Sequence, residues 1–99
     1  MTDIMLENRR WTILRLLAGA GGHEFSARII QKHLGALNRA HAKVSLEQIR
    51  KDLRWLDSQL LVEIVIADEE VFAKLIQRGL DAAMGNIKVE GVDEPPLED

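Results

Sequence analysis

The chain has 99 residues, room for one domain, and 46% of them are hydrophobic, which excludes a disordered polar chain. It contains no cysteine, which excludes a disulfide scaffold and any thiolate-based metal or redox site and fits a reducing compartment. The net charge of −3 hides a division: residues 1–59 carry ten Lys/Arg against six Asp/Glu, and residues 60–99 carry three against ten. The first part is suited to face phosphates while the second faces away. No apolar run approaches the roughly 20 residues that a bilayer span needs. Met1-Thr2-Asp3-Ile4-Met5-Leu6 lacks the basic-then-apolar order of a signal peptide, so a cytoplasmic protein without a membrane partner is expected.

In chain order, the spacing of Leu6, Ile13, Leu14 and Leu17 predicts a helix from Ile4 to Ala18, with Arg10 the one polar residue on its apolar face. Gly19-Ala20-Gly21-Gly22 stops it, and His23-Glu24-Phe25 reads as a short extended piece. Ser26 is a suitable N-cap for a second helix carrying Ile29, Ile30, Leu34 and Leu37, with Gly35 inside it at a cost of about 1 kcal/mol. The polar stretch Asn38–Lys43 leads to Ser45 and Gln48, a capping-box pattern that opens a third helix. At 100° per residue Leu46, Ile49, Leu53 and Leu56 share one side of it, and Glu47, Lys51, Arg54 and Ser58 the other.

The β-branched runs Leu61–Ile66 and Val71–Leu75, joined by Ala67-Asp68-Glu69-Glu70, predict a hairpin. Gln77–Met84 reads as a short helix capped by Gly85. From Asn86 the prolines and acids predict a loose tail, giving a folded unit over 1–85 and a flexible acidic segment over 86–99. The order is mainly α with a small β-hairpin, the arrangement of a winged helix-turn-helix, in which the third helix is the usual groove reader.

That assignment selects candidate DNA contacts. Gln48, Lys51 and Arg54 suit base edges, since Gln matches adenine and Arg matches guanine, and Glu47 can accept from cytosine. Arg50 and Lys43 suit phosphates, as does Arg39 in the linker beside His41. The competing interpretation is an ordinary solvated helix face. Arg9, Arg10 and Arg15 are expected to be solvated or paired with Asp3 and Glu7. Trp55 and Trp11 either close gaps in a small core or join a dimer interface. The wing tip Asp68-Glu69-Glu70 would meet phosphates with like charge, so the wing is expected to tilt away from DNA or to serve a partner.

No enzyme is expected. His23, His33 and His41 lack metal-site spacing, Gly19–Gly22 lacks the sequel of a phosphate loop, and Ser26 and Ser45 are caps. No metal or other cofactor is expected either.

Val44-Ser45, Leu53-Arg54-Trp55-Leu56, Leu61-Val62 and above all Val71 through Gly85, with Gly91-Val92 after it, carry a resemblance. This pattern resembles the small winged-helix proteins encoded by Mu-like phages and prophages. The resemblance implies a winged-helix fold, a bacterial host cell, and a regulatory role or, because such genes tend to lie near packaging genes, a role in assembly. Leu60 stands where that family suggests glycine, Ile76 where it suggests a capping threonine, and Asp93-Glu94 where its tail tends to be basic. The leading expectation is a homodimeric transcriptional regulator that binds double-stranded DNA without a cofactor. The alternative is a protein adaptor in phage assembly or packaging, bound to a phage or host protein and not to DNA.

Overall fold

The computed structural model describes residues 3–96. Four helices and three strands follow in the order α1 (Ile4–Ala18), β1 (Glu24–Ser26), α2 (Ala27–Leu37), α3 (Leu46–Ser58), β2 (Val62–Ala67), β3 (Glu70–Leu75) and α4 (Gln77–Met84). Single 3-10 turns at Gly21–His23 and Arg39–His41 join the first pieces. The sheet is wholly antiparallel in the order β1-β3-β2, with Phe25 and Ile64 both opposite Ala73. It is a small mixed α/β protein, compatible with the winged-helix expectation. The extended piece expected at residues 23–25 is a true third strand, because β3 offers it a partner edge.

The helix starts follow their caps. Asp3 accepts from the Leu6 N–H at 3.1 Å, Ser26 from Ile29 at 3.2 Å, and Ser45 from Gln48 at 3.1 Å. Ile13, Leu14 and Leu17 of α1 meet Ile30 and Leu34 of α2 and Ile49, Leu53 and Leu56 of α3, all fully buried. Leu61, Val62, Ala73 and Leu75 close this core from the sheet. None of the four aromatic residues is fully buried, so the core is aliphatic. Ile29 and Leu37 are exposed although they follow the helical spacing, because α2 presents only Ala27, Ile30 and Leu34 fully to the core. Gly35 is a close-approach position: a Cβ there would stand 2.8 Å from the Ala42 Cα. Its helix-propensity cost therefore secures the packing of the linker against α2.

Two turns run against side-chain preference. α3 ends with the Leu60 N–H bonded to the Asp57 carbonyl and the Leu61 N–H to the Leu56 carbonyl, both 3.0 Å, the pairing of a Schellman motif. The residue between must be left-handed, and it is Leu60 at φ 60° where glycine was expected. At the hairpin tip Asp68 (φ 50°) and Glu69 (φ 65°) both take the positive φ that a two-residue type I′ turn requires. Ile76, standing at the N-cap of α4, supplies no side-chain hydrogen bond there.

The segment expected to be a loose tail from Asn86 packs up to Asp93. Val89 and Val92 are buried, the Asp93 N–H bonds the Glu7 carbonyl at 3.2 Å, and Arg10 donates to the Gly91 carbonyl at 3.0 Å. Acids and prolines dominate its composition and hide the spaced apolar residues Ile87, Val89 and Val92 that attach it to the core. Leu97, Glu98 and Asp99 of that expected tail lie outside the described residues.

Candidate nucleic-acid interface

Helix α3 carries most of the candidate contacts. Its buried side is Ile49, Asp52, Leu53 and Leu56, which turns Glu47, Lys51, Arg54, Asp57 and Ser58 to the surface. Lys43 and Arg39 are exposed in the segment that leads into it, and His41 between them is buried. Burial holds the His41 imidazole below its ordinary pKa, helped by the charge of Arg9 and opposed by Asp52.

The sequence-selected residues divide into three groups. Lys43, Lys51, Arg54 and Arg39 are exposed cations, with Glu47 exposed among them. The ion pairs among the described residues are Arg9–Asp52, Arg28–Glu70 and Lys88–Glu94, so none of these four cations is held by a carboxylate. Arg50 is half-buried on the hairpin side of α3, and its buried Nε has no hydrogen-bond partner. With Arg54, Asp57, Ile64, Ile66 and Val71 it lines a groove of about 400 Å³ between α3 and the hairpin. Gln48 is half-buried and its amide donates to Asp52 Oδ1 at 3.1 Å, which engages the group expected to read adenine.

The α1 arginines depart from expectation. Arg9 pairs not with Asp3 or Glu7 but with Asp52 of α3, at 2.5 and 3.0 Å through two nitrogens. Arg10 lies over the Trp55 ring, 3.7 Å from its centroid, and is bonded to Gly91. Burial lowers its pKa, with Asp52 opposing. Both partners are far along the chain, which local spacing cannot reveal. Arg15 is exposed, with its guanidinium 5.9 Å from the Trp11 ring. Trp55 thus closes a gap under the tail, and Trp11 donates from its indole to the Ala83 carbonyl at 3.2 Å. Both tryptophans are half-buried.

A polar cluster behind α3 escaped sequence reading. Asp52 is 2% exposed and serves Arg9 and Gln48, while Asn8 Oδ1 accepts from Asn38 at 2.9 Å and lies 2.9 Å from His41 Nε2. This cluster fixes the linker and the start of α3 against α1. One signal was present: Asp52 stands three residues after Ile49 and four before Leu56, on the apolar side of the helix.

The fold and this surface define a small mixed α/β protein whose α3 surface side carries two cations, Lys51 and Arg54, beside two carboxylates, Glu47 and Asp57. No helix, among the described residues, is long and apolar enough to cross a membrane. No family profile and no solved structure matches the chain. It is 34% identical over 95 residues to the uncharacterized protein gp26 of Escherichia phage Mu, an alignment covering 96% of this chain and 95% of that protein. The chain belongs to the family of that Mu phage protein.

Proposed function

We propose that the chain is a winged helix that docks on double-stranded DNA, with α3 in the major groove, as a regulator of transcription or of another phage DNA transaction. The observation that carries this reading is the exposure of Lys43, Lys51 and Arg54 on one helix and its approach, without an intramolecular ion pair. Cations kept in solvent at one surface are available to phosphates and to guanine edges. Their support comes from behind: the Arg9–Asp52 pair locks α3 to α1, and within α3 the Gln48 amide donates to the same Asp52 carboxylate. In this reading Lys43 and Arg39 hold phosphates, Lys51 and Arg54 reach bases, and Gln48 steadies the Asp52 carboxylate that pairs with Arg9. Glu47 limits the bases accepted, since a carboxylate matches only the cytosine amino group in the groove.

Amide chemical-shift mapping with a random duplex at low salt tests it. Shifts are expected at Lys43, Glu47, Lys51 and Arg54, with Asp68, Glu69 and helix α4 unmoved. Shifts confined to α4 or to the tail would refute the placement. A second reading, a protein adaptor in phage assembly, draws on one observation: the exposed acidic tip Asp68-Glu69, which repels phosphates. Absence of any shift with DNA, together with a defined protein partner, is the outcome that favours it.

A further inference from the structure

We infer that strand β2 is a dimerisation edge whose partner is β2 of a second copy, paired antiparallel with Val65 opposite the partner's Val65. Strand β2 is one of the two outer strands of the sheet, the longer one, and pairs with β3 alone. Its register with β3 is unbroken from Val62–Leu75 to Ala67–Glu70, so no bulge turns the edge away. The sequence Val62-Glu63-Ile64-Val65-Ile66-Ala67 contains neither lysine nor proline, the usual protections of a solvent edge. Exposed large apolar side chains gather there: Leu60 is 65% exposed, Val65 43% and Ile66 71%. An edge that is regular and, apart from Glu63, apolar is suited to pairing and costly to leave in water.

Charge placement selects the second copy and the register. Residues directly opposite each other in an antiparallel pair point to the same face. A two-fold axis perpendicular to the sheet therefore matches even positions with even and odd with odd. Centred on Val65, the pairing sets Ile64 against the partner's Ile66 twice on the α3 side, and Val65 against the partner's Val65 on the other. Glu63 then meets the partner's Ala67, and the two Glu63 carboxylates stand about 13 Å apart along the strands. Each neighbouring register is worse. A centre on Ile64 sets Glu63 against valine, one on Glu63 sets the two carboxylates face to face, and one on Ile66 sets Ile64 against Asp68. The groove beside β2 is self-complementary as well, since Arg54 and Asp57 both line it and neither is ion-paired within the chain.

Sedimentation of the full chain without nucleic acid tests this independently of the DNA reading. Wild type is expected to sediment at twice the chain mass at high micromolar concentration, and Val65→Lys and Ile66→Lys at half that value. Both side chains are exposed in the protomer, so an unchanged circular dichroism spectrum is expected of the variants. Because the chain has no cysteine, Val65→Cys should give a covalent dimer on mild oxidation, while Glu63→Cys, with sulfurs too far apart to bridge, should not. A wild type that stays monomeric, including one that instead captures an extended peptide, overturns the inference. Lysine variants that remain dimeric, or equal cross-linking at 63 and 65, would do the same.

Discussion

Gly79→Ala should destabilise the protein by about 3 kcal/mol or more and lower its melting temperature by roughly 15 °C, if it folds at all. A Cβ on Gly79 would stand 1.9 Å from the Leu61 carbonyl oxygen, 2.7 Å from Leu75 Cδ1 and 2.9 Å from the Leu61 carbonyl carbon. Two of these three atoms are backbone of Leu61, the residue before β2, and backbone cannot rotate aside as a side-chain tip can. Helix α4 would have to lift. That movement breaks the Ile76 N–H bond to the same Leu61 carbonyl and loosens Ala82 and Ala83, the latter beneath Trp11. The helix-propensity gain of alanine, about 1 kcal/mol, is too small to offset this. Gly21→Ala is the control, since no atom lies within 4 Å of a Cβ placed there. Thermal denaturation of both variants decides the matter, and a Gly79→Ala loss below about 1 kcal/mol would show that α4 does not rest on the Leu61 backbone.

The second large effect is expected at Asp52. Asp52→Ala should cost about 3–5 kcal/mol, because it leaves a guanidinium in a mostly buried site without its counter-charge. The Arg9 side chain is 14% exposed and that of Asp52 2%, so neither charge can return to water without distorting the helix contact. Gln48 would lose its acceptor in the same change. The net worth of the pair is much smaller than the cost of breaking it, since forming it required both ions to be desolvated. The double variant Arg9→Met, Asp52→Leu should therefore recover most of the loss. Urea denaturation of the two single variants and the double variant measures this. A double variant as unstable as Asp52→Ala alone would mean that the pair contributes more than charge neutralisation.

Helix periodicity made most of the fold legible in the sequence. The spacings around Ile13 and Leu17, the Ser26 and Ser45 caps and the change to β-branched residues at Val62 marked elements that the structure contains. What remained hidden was long-range. Arg9 finds Asp52 across 43 positions and Arg10 finds Gly91 across 81, and neither pairing leaves a local pattern. The tail shows the same limit, because composition reports the average of a segment while its attachment depends on the few spaced residues Ile87, Val89 and Val92. Leu60 and the Asp68-Glu69 turn were illegible for another reason: their backbone is imposed by the helix end and hairpin around them, against their own preference. At the candidate site, the helical wheel separated exposed Lys51 and Arg54 from the core, but not the engagement of Gln48 by Asp52.

Fluorescence anisotropy of labelled random duplex, and of fragments from the protein's own genomic neighbourhood, tests the DNA reading most directly. Wild type would be compared with an Arg50→Ala, Lys51→Ala, Arg54→Ala variant of unchanged circular dichroism, over a range of salt concentrations. The expected result is wild-type binding that weakens steeply with salt, an affinity in the variant lower by on the order of 100-fold, and a salt slope reduced by about 2–3. Wild type that fails to bind any duplex at low salt, or a variant that binds as tightly as wild type with the same slope, would contradict α3 as the DNA-binding surface.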